Sequence, residues 1–208
     1  MVESIRQVPD WLNVSRGTLA KLEGLLDLVA KWNPKINLVS VTSLSEAWSR
    51  HLLDSAQLWA IAQAKSGKWL DIGSGGGFPG LVIGIMAEEA APDLRVVLVE
   101  SDKRKSVFLS EAVRQFKLNA DVRCARIESL SPMGATIISA RAFSPLQGLL
   151  PMVAQHLLPD GVALLPKGRR HQDELDQTGA QWTYCAEAIA SKTDPSGVIL
   201  KIWGLQNA

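Results

Sequence analysis

The feature that most constrains this chain is Trp69-Leu-Asp-Ile-Gly-Ser-Gly-Gly-Gly-Phe-Pro-Gly80, where an apolar run breaks into five glycines. Trp69 to Ile72 reads as a buried strand, and Leu81-Val-Ile-Gly-Ile-Met86 resumes as an apolar helix. A strand, a glycine turn and a helix start bring backbone N–H groups and a helix N-terminus to one place, where a ligand is held closely. Side chains would block that approach, and some turn positions need positive φ, which glycine alone adopts freely.

From Lys68 onward, strands alternate with helices. The pattern predicts strands at 68–72, 95–100, 121–124, 136–140 and 162–165, with helices near 79–90, 103–117 and 145–157 between them. Two further strands, 181–189 and 197–203, flank an Asp194-Pro-Ser-Gly197 turn. Repeated βα units imply an α/β, doubly wound, mostly parallel seven-stranded sheet with helices on both faces, and the final hairpin gives it an antiparallel edge. In such a sheet ligands bind beyond the carboxyl ends of the strands.

The first 66 residues read differently. Leucines at 19, 22, 25, 26 and 28 keep helical spacing from Thr18 to Trp32, and Asn33-Pro34 is expected to stop the helix. Ser43-Leu-Ser-Glu46 has capping-box form and is expected to open a second helix, which Ser66-Gly67 closes. Four of the seven tryptophans precede residue 60, so this helical extension is expected to pack on the main body. The division is therefore residues 1–66, an N-terminal helical extension, and 67–208, the main domain.

The spacing Gly75-x-Gly77-x-x-Gly80 also fits a dinucleotide fingerprint, so that ligand is an alternative. Two carboxylates favour a different one. Asp71 precedes the glycines, where it would repel a pyrophosphate but suit an amino group or a sulfonium. Glu100 ends the next strand, 20 residues past Gly80, where a carboxylate bonds ribose hydroxyls. No Gly-Lys-Ser/Thr is present, so a P-loop is excluded. A nucleoside with a cationic amino-acid arm, S-adenosylmethionine, satisfies both acids.

Lys plus Arg (22) nearly balance Asp plus Glu (21), so a polyanion would have to meet a local basic patch. The candidates are Lys103-Arg104-Lys105, Arg123 with Arg126, and Lys167-Gly-Arg169-Arg170-His171. Cys124 and Cys185 form no CxxC pair and the three histidines do not cluster, so no metal site is expected and the cysteines read as small core residues. The first ten residues hold no apolar leader and no run spans a membrane, which gives a soluble, cytoplasmic expectation.

Beyond the glycine loop with Glu100, six blocks stand in order: Lys31-Trp-Asn33, Ile36-Asn-Leu-Val-Ser40, Arg50-His-Leu-Leu-Asp-Ser55, Gly77-Phe-Pro-Gly80, Ser139-Ala-Arg-Ala-Phe143 and Pro166-Lys-Gly168. Together they resemble the bacterial 16S ribosomal RNA guanine-N7 methyltransferases, the glucose-inhibited division protein B family, over about residues 20–205. The resemblance implies a class I S-adenosylmethionine-dependent methyltransferase (Rossmann-like) fold, and a monomer acting on 16S RNA in the small subunit or its assembly intermediate. It implies Asp71, Gly73, Ser74, Gly75, Phe78, Glu100, Ile127, Glu128 and Arg141 as the cofactor site. Arg141, at a strand's carboxyl end, is also the candidate beside the target base. Phe143, Lys103, Arg104, Lys167 and Arg169 are the candidates for contacting RNA, Phe143 either by stacking on the guanine or as a core aromatic. Arg50, His51 and Asp54 share a helix face, with His51 expected to pair Asp54 or to line the cofactor pocket; Asn37 carries the same choice.

N7 of guanine carries a free lone pair, so methyl transfer there needs alignment and charge placement rather than a general base. No Asn/Asp-Pro-Pro-Tyr motif follows the fourth strand and no Pro-Cys pair is present, in keeping with that chemistry. Two rivals remain at this stage: a small-molecule methyltransferase, and a non-catalytic ribosome-assembly factor retaining the fold.

Overall fold

The computed structural model describes residues 7–207, so the leaderless reading of the N-terminus falls partly on residues outside the described ones. Seven strands form one sheet in the order β3-β2-β1-β4-β5-β7-β6. The strands are β1 (Ser66–Ile72), β2 (Asp93–Glu100), β3 (Ala120–Cys124), β4 (Ala135–Ala140), β5 (Leu157–Lys167), β6 (Trp182–Ala190) and β7 (Val198–Asn207). The first five are parallel, and β7 runs antiparallel to both β5 and β6. β1 pairs with β2 on one side and with β4 on the other. The chain therefore leaves β1 and β4 in opposite directions across the sheet, which opens a crevice at their carboxyl ends.

Side chains alternate along each strand and divide the core in two. Trp69, Val96, Leu98, Ile137 and Leu164 face α1 (Arg16–Ile36), α4 (Gly80–Ala90) and α5 (Lys103–Phe116). Leu70, Val97, Val99, Ile138, Ala163 and Leu165 face α6 (Leu146–His156) on the other side. The N-terminal helices belong to the first cluster. Leu22, Leu25 and Val29 of α1 are fully buried there, and Trp11, Trp32, Trp48 and Trp59 pack at its margin. Trp32 meets Phe108 of α5 edge to face, with centroids 5.8 Å apart.

Several boundaries differ from those read in the sequence. α1 continues through Pro34, which lies in its last turn, and ends where Asn37 turns left-handed at φ 49°. Asn37 is thus a helix cap. The expected capping box is displaced: Ser40 caps a short α2 (Val41–Leu44) by accepting from Ser43 N, while Ser43 is buried and its hydroxyl is used elsewhere. The second helix begins as a π-helical turn over Trp48–Leu53 and continues as α3 (Asp54–Ala62). It closes at Gln63, φ 48°, and Ser66-Gly67 instead starts β1. α7 (His171–Thr178) was not expected; only Leu175 interrupts its polar sequence, so it has almost no apolar period to read. Cys124 and Cys185, expected in the core, are both exposed, because the outer β3 and β6 turn these positions to solvent.

Candidate functional site

The glycine loop owes its shape to three left-handed positions, Gly73, Gly75 and Gly77, at φ 68°, 53° and 87°. A Cβ on Gly73 would lie 2.2 Å from the Phe143 ring, whereas one on Gly75 would meet only the Gly73 carbonyl, at 3.8 Å. The loop is thus pressed against Phe143 on one side and open on the other. It is pinned by Ser74 N donating to Val99 O (3.0 Å), Gly77 N to Ser74 O (2.7 Å) and Gly75 N to the Glu100 carboxylate (2.9 Å). The other Glu100 oxygen accepts from Asp102 N at 2.7 Å, so this acid joins the loop to the start of α5.

Asp71 sits beneath the loop. It is fully buried, accepting from Ser139 Oγ (2.7 Å) and from Gly80 N (3.2 Å), while Trp69 Nε1 donates to Ser139 Oγ at 2.8 Å. Burial pushes its carboxyl up to about 6, against the opposing pull of the hydrogen bonds from Ser139, Ser74 and Gly80. Asp71 was expected to hold a ligand's cationic arm. It does not line the cavity, because Gly80 at the head of α4 closes over it; its place is to tie β1, β4 and α4 together.

The cavity above the loop, about 370 Å³, is lined by Gly73 to Gly76, Phe78, Glu100, Ile127, Glu128, Arg141 and Phe143, with Leu38 and Val39 crossing from the N-terminal side. Ile127 is buried, and its carbonyl accepts from Nε2 of the buried His156 at 3.1 Å, while His156 Nδ1 has no partner. Glu128 is exposed at the edge. Phe143 is 41% exposed, so it is not a core aromatic; its ring covers Gly73 and faces the opening.

Arg141 is held by three groups from the N-terminal helices. It donates to Arg50 O (2.8 Å) and Asp54 Oδ2 (3.0 Å), and a close contact joins it to His51 Nδ1. The π-helical turn contributes here. It shifts the pairing so that Asp54 N bonds back to Ser49 and His51 carbonyls, and Arg50 O takes the arginine. Since an arginine only donates, His51 Nδ1 is the acceptor and its Nε2–H donates to Ser43 Oγ at 2.9 Å. Burial, aided by the charges of Arg141 and Arg50, lowers His51 to about 4, so the ring is neutral at pH 7. It stacks on Phe78, centroids 5.2 Å apart. Of the two places expected for His51, pairing Asp54 or lining the pocket, it takes the second: Asp54 is taken by Arg141, and His51 lines the cavity.

The basic candidates separate. Lys103 and Arg104 are exposed in the first turn of α5, and Lys105 and Arg126 reach the cavity wall. Arg169 is exposed beyond β5. Lys167 is not free for a phosphate. Its side chain is 9% exposed, and its ammonium donates to Ser144 O and Glu174 Oε2, the latter at 2.7 Å. Leu38, Val39 and Ala142 are cavity residues not named as site candidates from the sequence, and the signal for them was their place inside two of the blocks that carry the resemblance.

Comparison with known proteins places this geometry. The family model described as GidB, rRNA small subunit methyltransferase G, matches residues 18–196. The chain is 49% identical over 202 residues to "Ribosomal RNA small subunit methyltransferase G" of Cereibacter sphaeroides, covering 97% of each chain. It is 48% identical to the protein of the same name from Ruegeria pomeroyi, covering 95% of this chain and 98% of the other. Among solved structures, M. jannaschii TYW2 in complex with AdoMet has a TM-score of 0.57 at 14% identity, covering 81% of this chain and 77% of that one. Precorrin-6y C5,15-methyltransferase from Geobacter metallireducens has a TM-score of 0.52 at 14% identity, covering 80% and 90%. At such identities the two structures share the fold and nothing finer.

Proposed function

The chain belongs to the rRNA small subunit methyltransferase G family, and from that premise we propose how its residues carry out the reaction. It is an S-adenosylmethionine-dependent methyltransferase acting on 16S ribosomal RNA. Our reading is that the acceptor is N7 of a guanine, that the protein acts as a cytoplasmic monomer, and that residues 67–208 form the methyltransferase domain with 1–66 as its extension.

The observation that carries this reading is the junction of loop and acid: Gly75 N and Glu100 meet at 2.9 Å on the wall of one cavity. The residues suit the cofactor. Backbone left bare at Gly75 admits close approach, Glu100 has lone pairs left for ribose hydroxyls, and Val99, Ile127 and Phe78 offer apolar surface to an adenine. Glu128 stands at the edge of that surface. When bound, S-adenosylmethionine supplies an electrophilic methyl group on a sulfonium.

With that cofactor bound, attack by N7 would form the nitrogen–carbon bond as the carbon–sulfur bond breaks, leaving a neutral thioether and the positive charge on the purine. No proton leaves N7, so no residue needs to act as a base. Arg141, fixed by Asp54, His51 and the Arg50 carbonyl, orients the acceptor by donating hydrogen bonds. His51, neutral and stacked on Phe78, adds no charge that would repel the sulfonium. Exposed Lys103, Arg104 and Arg169 meet phosphates outside the cavity.

The test is methyl transfer from labelled S-adenosylmethionine to small-subunit RNA from cells lacking this enzyme, followed by nucleoside analysis. Label in 7-methylguanosine is expected. Label in another nucleoside would reject N7, and cofactor binding without any label in RNA would favour a small-molecule acceptor.

A further inference from the structure

A second cavity, about 750 Å³, shares only His51, Arg141 and Ala142 with the first. These three residues therefore lie on the border where the two spaces adjoin. The remaining walls come from elsewhere: Ser40, Ser43, Arg50 and Asp54 on the N-terminal side, Pro166 to Gly168 after β5, and the turn Ser191 to Gly197 between β6 and β7.

That turn is fastened to this border. Gln57 of α3 is 1% exposed, and its amide nitrogen is within hydrogen-bond distance of Asp54 Oδ1 (2.9 Å), Ser191 Oγ (3.2 Å) and Thr193 Oγ1 (3.4 Å). Its amide oxygen accepts from Lys192 N at 2.9 Å. Thr193 Oγ1 donates to Asp54 Oδ1 at 2.9 Å, and Asp54 Oδ2 accepts from Arg141 at 3.0 Å. A hydrogen-bonded chain thus runs from a turn near residue 193 to the arginine that both cavities touch. Buried, satisfied polar networks of this kind hold a site in one geometry before a ligand arrives.

Charge surrounds the same space. Arg50 lines it, Arg141 closes its inner end, and Arg169 and Arg50 both act electrostatically on Asp194 at the turn. Arg50 and Arg141 line a groove that also offers Asp194 as an acceptor, and Arg169, next to the lining residue Gly168, acts on that acid. A third cavity, about 300 Å³, also borders Ala142 and Phe143, but its charged groups Lys167 and Glu174 are spent on each other.

We propose that the second cavity is the acceptor site, receiving one unstacked guanine nucleotide whose base abuts Arg141 and whose phosphates meet Arg50 and Arg169. This rests on the methyltransferase reading above. Guanine presents an acceptor at O6 and donors at N1 and N2, so O6 suits Arg141, which leaves the N7 lone pair free to attack, and the donor edge suits the exposed Asp194. A nucleotide modified on its base must first leave the stack, and a preformed groove of nucleotide size receives it. The network through Gln57 and Thr193 makes the β6–β7 turn a positioning element for Arg141.

The test fills each cavity separately. Pro195→Trp, on the exposed turn, and Val198→Trp both project bulk into the second cavity, and Pro145→Trp does so in the third. Methyl transfer to 30S subunits and the Kd for S-adenosylhomocysteine are measured for each variant, with the wild type alongside. Pro195→Trp is expected to lower kcat/KM by about tenfold or more while the cofactor Kd stays within about twofold. Thr193→Val is expected to lower kcat of the folded fraction without altering cofactor Kd, whereas a purely structural threonine would lower only the melting temperature. Full transfer by Pro195→Trp, with loss in Pro145→Trp, would overturn the proposal and move the acceptor to the third cavity. A wild type that binds cofactor but labels no RNA would instead overturn the reaction assigned above.

Discussion

Asp71 and His51 are both buried beside the glycine loop, and burial disfavours the charged form of each, so their contributions to stability run in opposite directions with pH. The Asp71 carboxyl lies at about 6 in the folded chain against an ordinary 3.8. Its ionisation cost is absent below 3.8, grows as pH rises, and is complete above about 6. His51 lies at about 4 against an ordinary 6.5, so its cost is absent above 6.5 and grows as pH falls toward 4. Each gap corresponds to about 3 kcal/mol at most, and across pH 4–6 they offset. Asp71→Asn should therefore gain stability relative to the wild type as pH rises from 4 to 7, and His51→Gln should gain as pH falls over the same range. Urea denaturation at several pH values checks this; variant curves parallel to the wild type would contradict it. Glu100→Ala should weaken S-adenosylhomocysteine binding by about 1–3 kcal/mol, since it removes both the ribose acceptor and the loop tie. Calorimetry showing unchanged affinity would take Glu100 out of the site. The acids and glycines were legible because few residue types suit a tight, ligand-facing turn. The division of labour between the acids was not. Asp71 and Glu100 both end strands, and only Gly80 closing over one of them separates a buried brace from a cavity wall.

At the scale of elements, α7 shows what periodicity misses. Its sequence carries one large apolar residue, yet the helix supplies Glu174, whose Oε2 accepts from Leu146 N at 2.7 Å and pairs Lys167 at 2.7 Å. A helix placed for its polar contacts leaves no hydrophobic stripe to read. Glu174→Ala should cost about 2–4 kcal/mol, because it leaves the nearly buried Lys167 ammonium without its carboxylate, and Lys167→Met in that background should recover part of the loss. Thermal denaturation of both variants decides; an unchanged Glu174→Ala would show the pair to be dispensable. The π-helical turn at Trp48–Leu53 is a second such case. Its block, Arg50 to Ser55, was legible as a helix, but the one-residue shift that offers Arg50 O to Arg141 follows from the fit between helix and sheet, not from local propensity.

At the scale of the whole molecule, the alternation of strands and helices was enough to read a mostly parallel seven-stranded sheet, and the two final strands around Asp194–Gly197 gave the antiparallel edge; the order of the strands was not legible. What remained hidden was that this edge turn would return to the N-terminal helices and complete a wall of the second cavity. Contacts such as Gln57 with Ser191 join residues 134 apart, which no local pattern encodes. The formal charge of +1 confines electrostatic attraction for RNA to the basic groups around the openings. Binding to 30S subunits should thus weaken with salt, and Lys103→Glu with Arg104→Glu should flatten that dependence while leaving cofactor affinity unchanged. Equal salt slopes for the wild type and the double variant would place the RNA elsewhere.

Arg141 borders both cavities, and the role proposed for it is in the transfer itself. Single-turnover methyl transfer to 30S subunits by Arg141→Ala at saturating cofactor tests it, read beside the melting temperature. The expected rate is lower by about a hundredfold, roughly 3 kcal/mol, in a protein that still folds and still binds cofactor. An unchanged rate, or a rate lost only in proportion to the fraction unfolded, would contradict it.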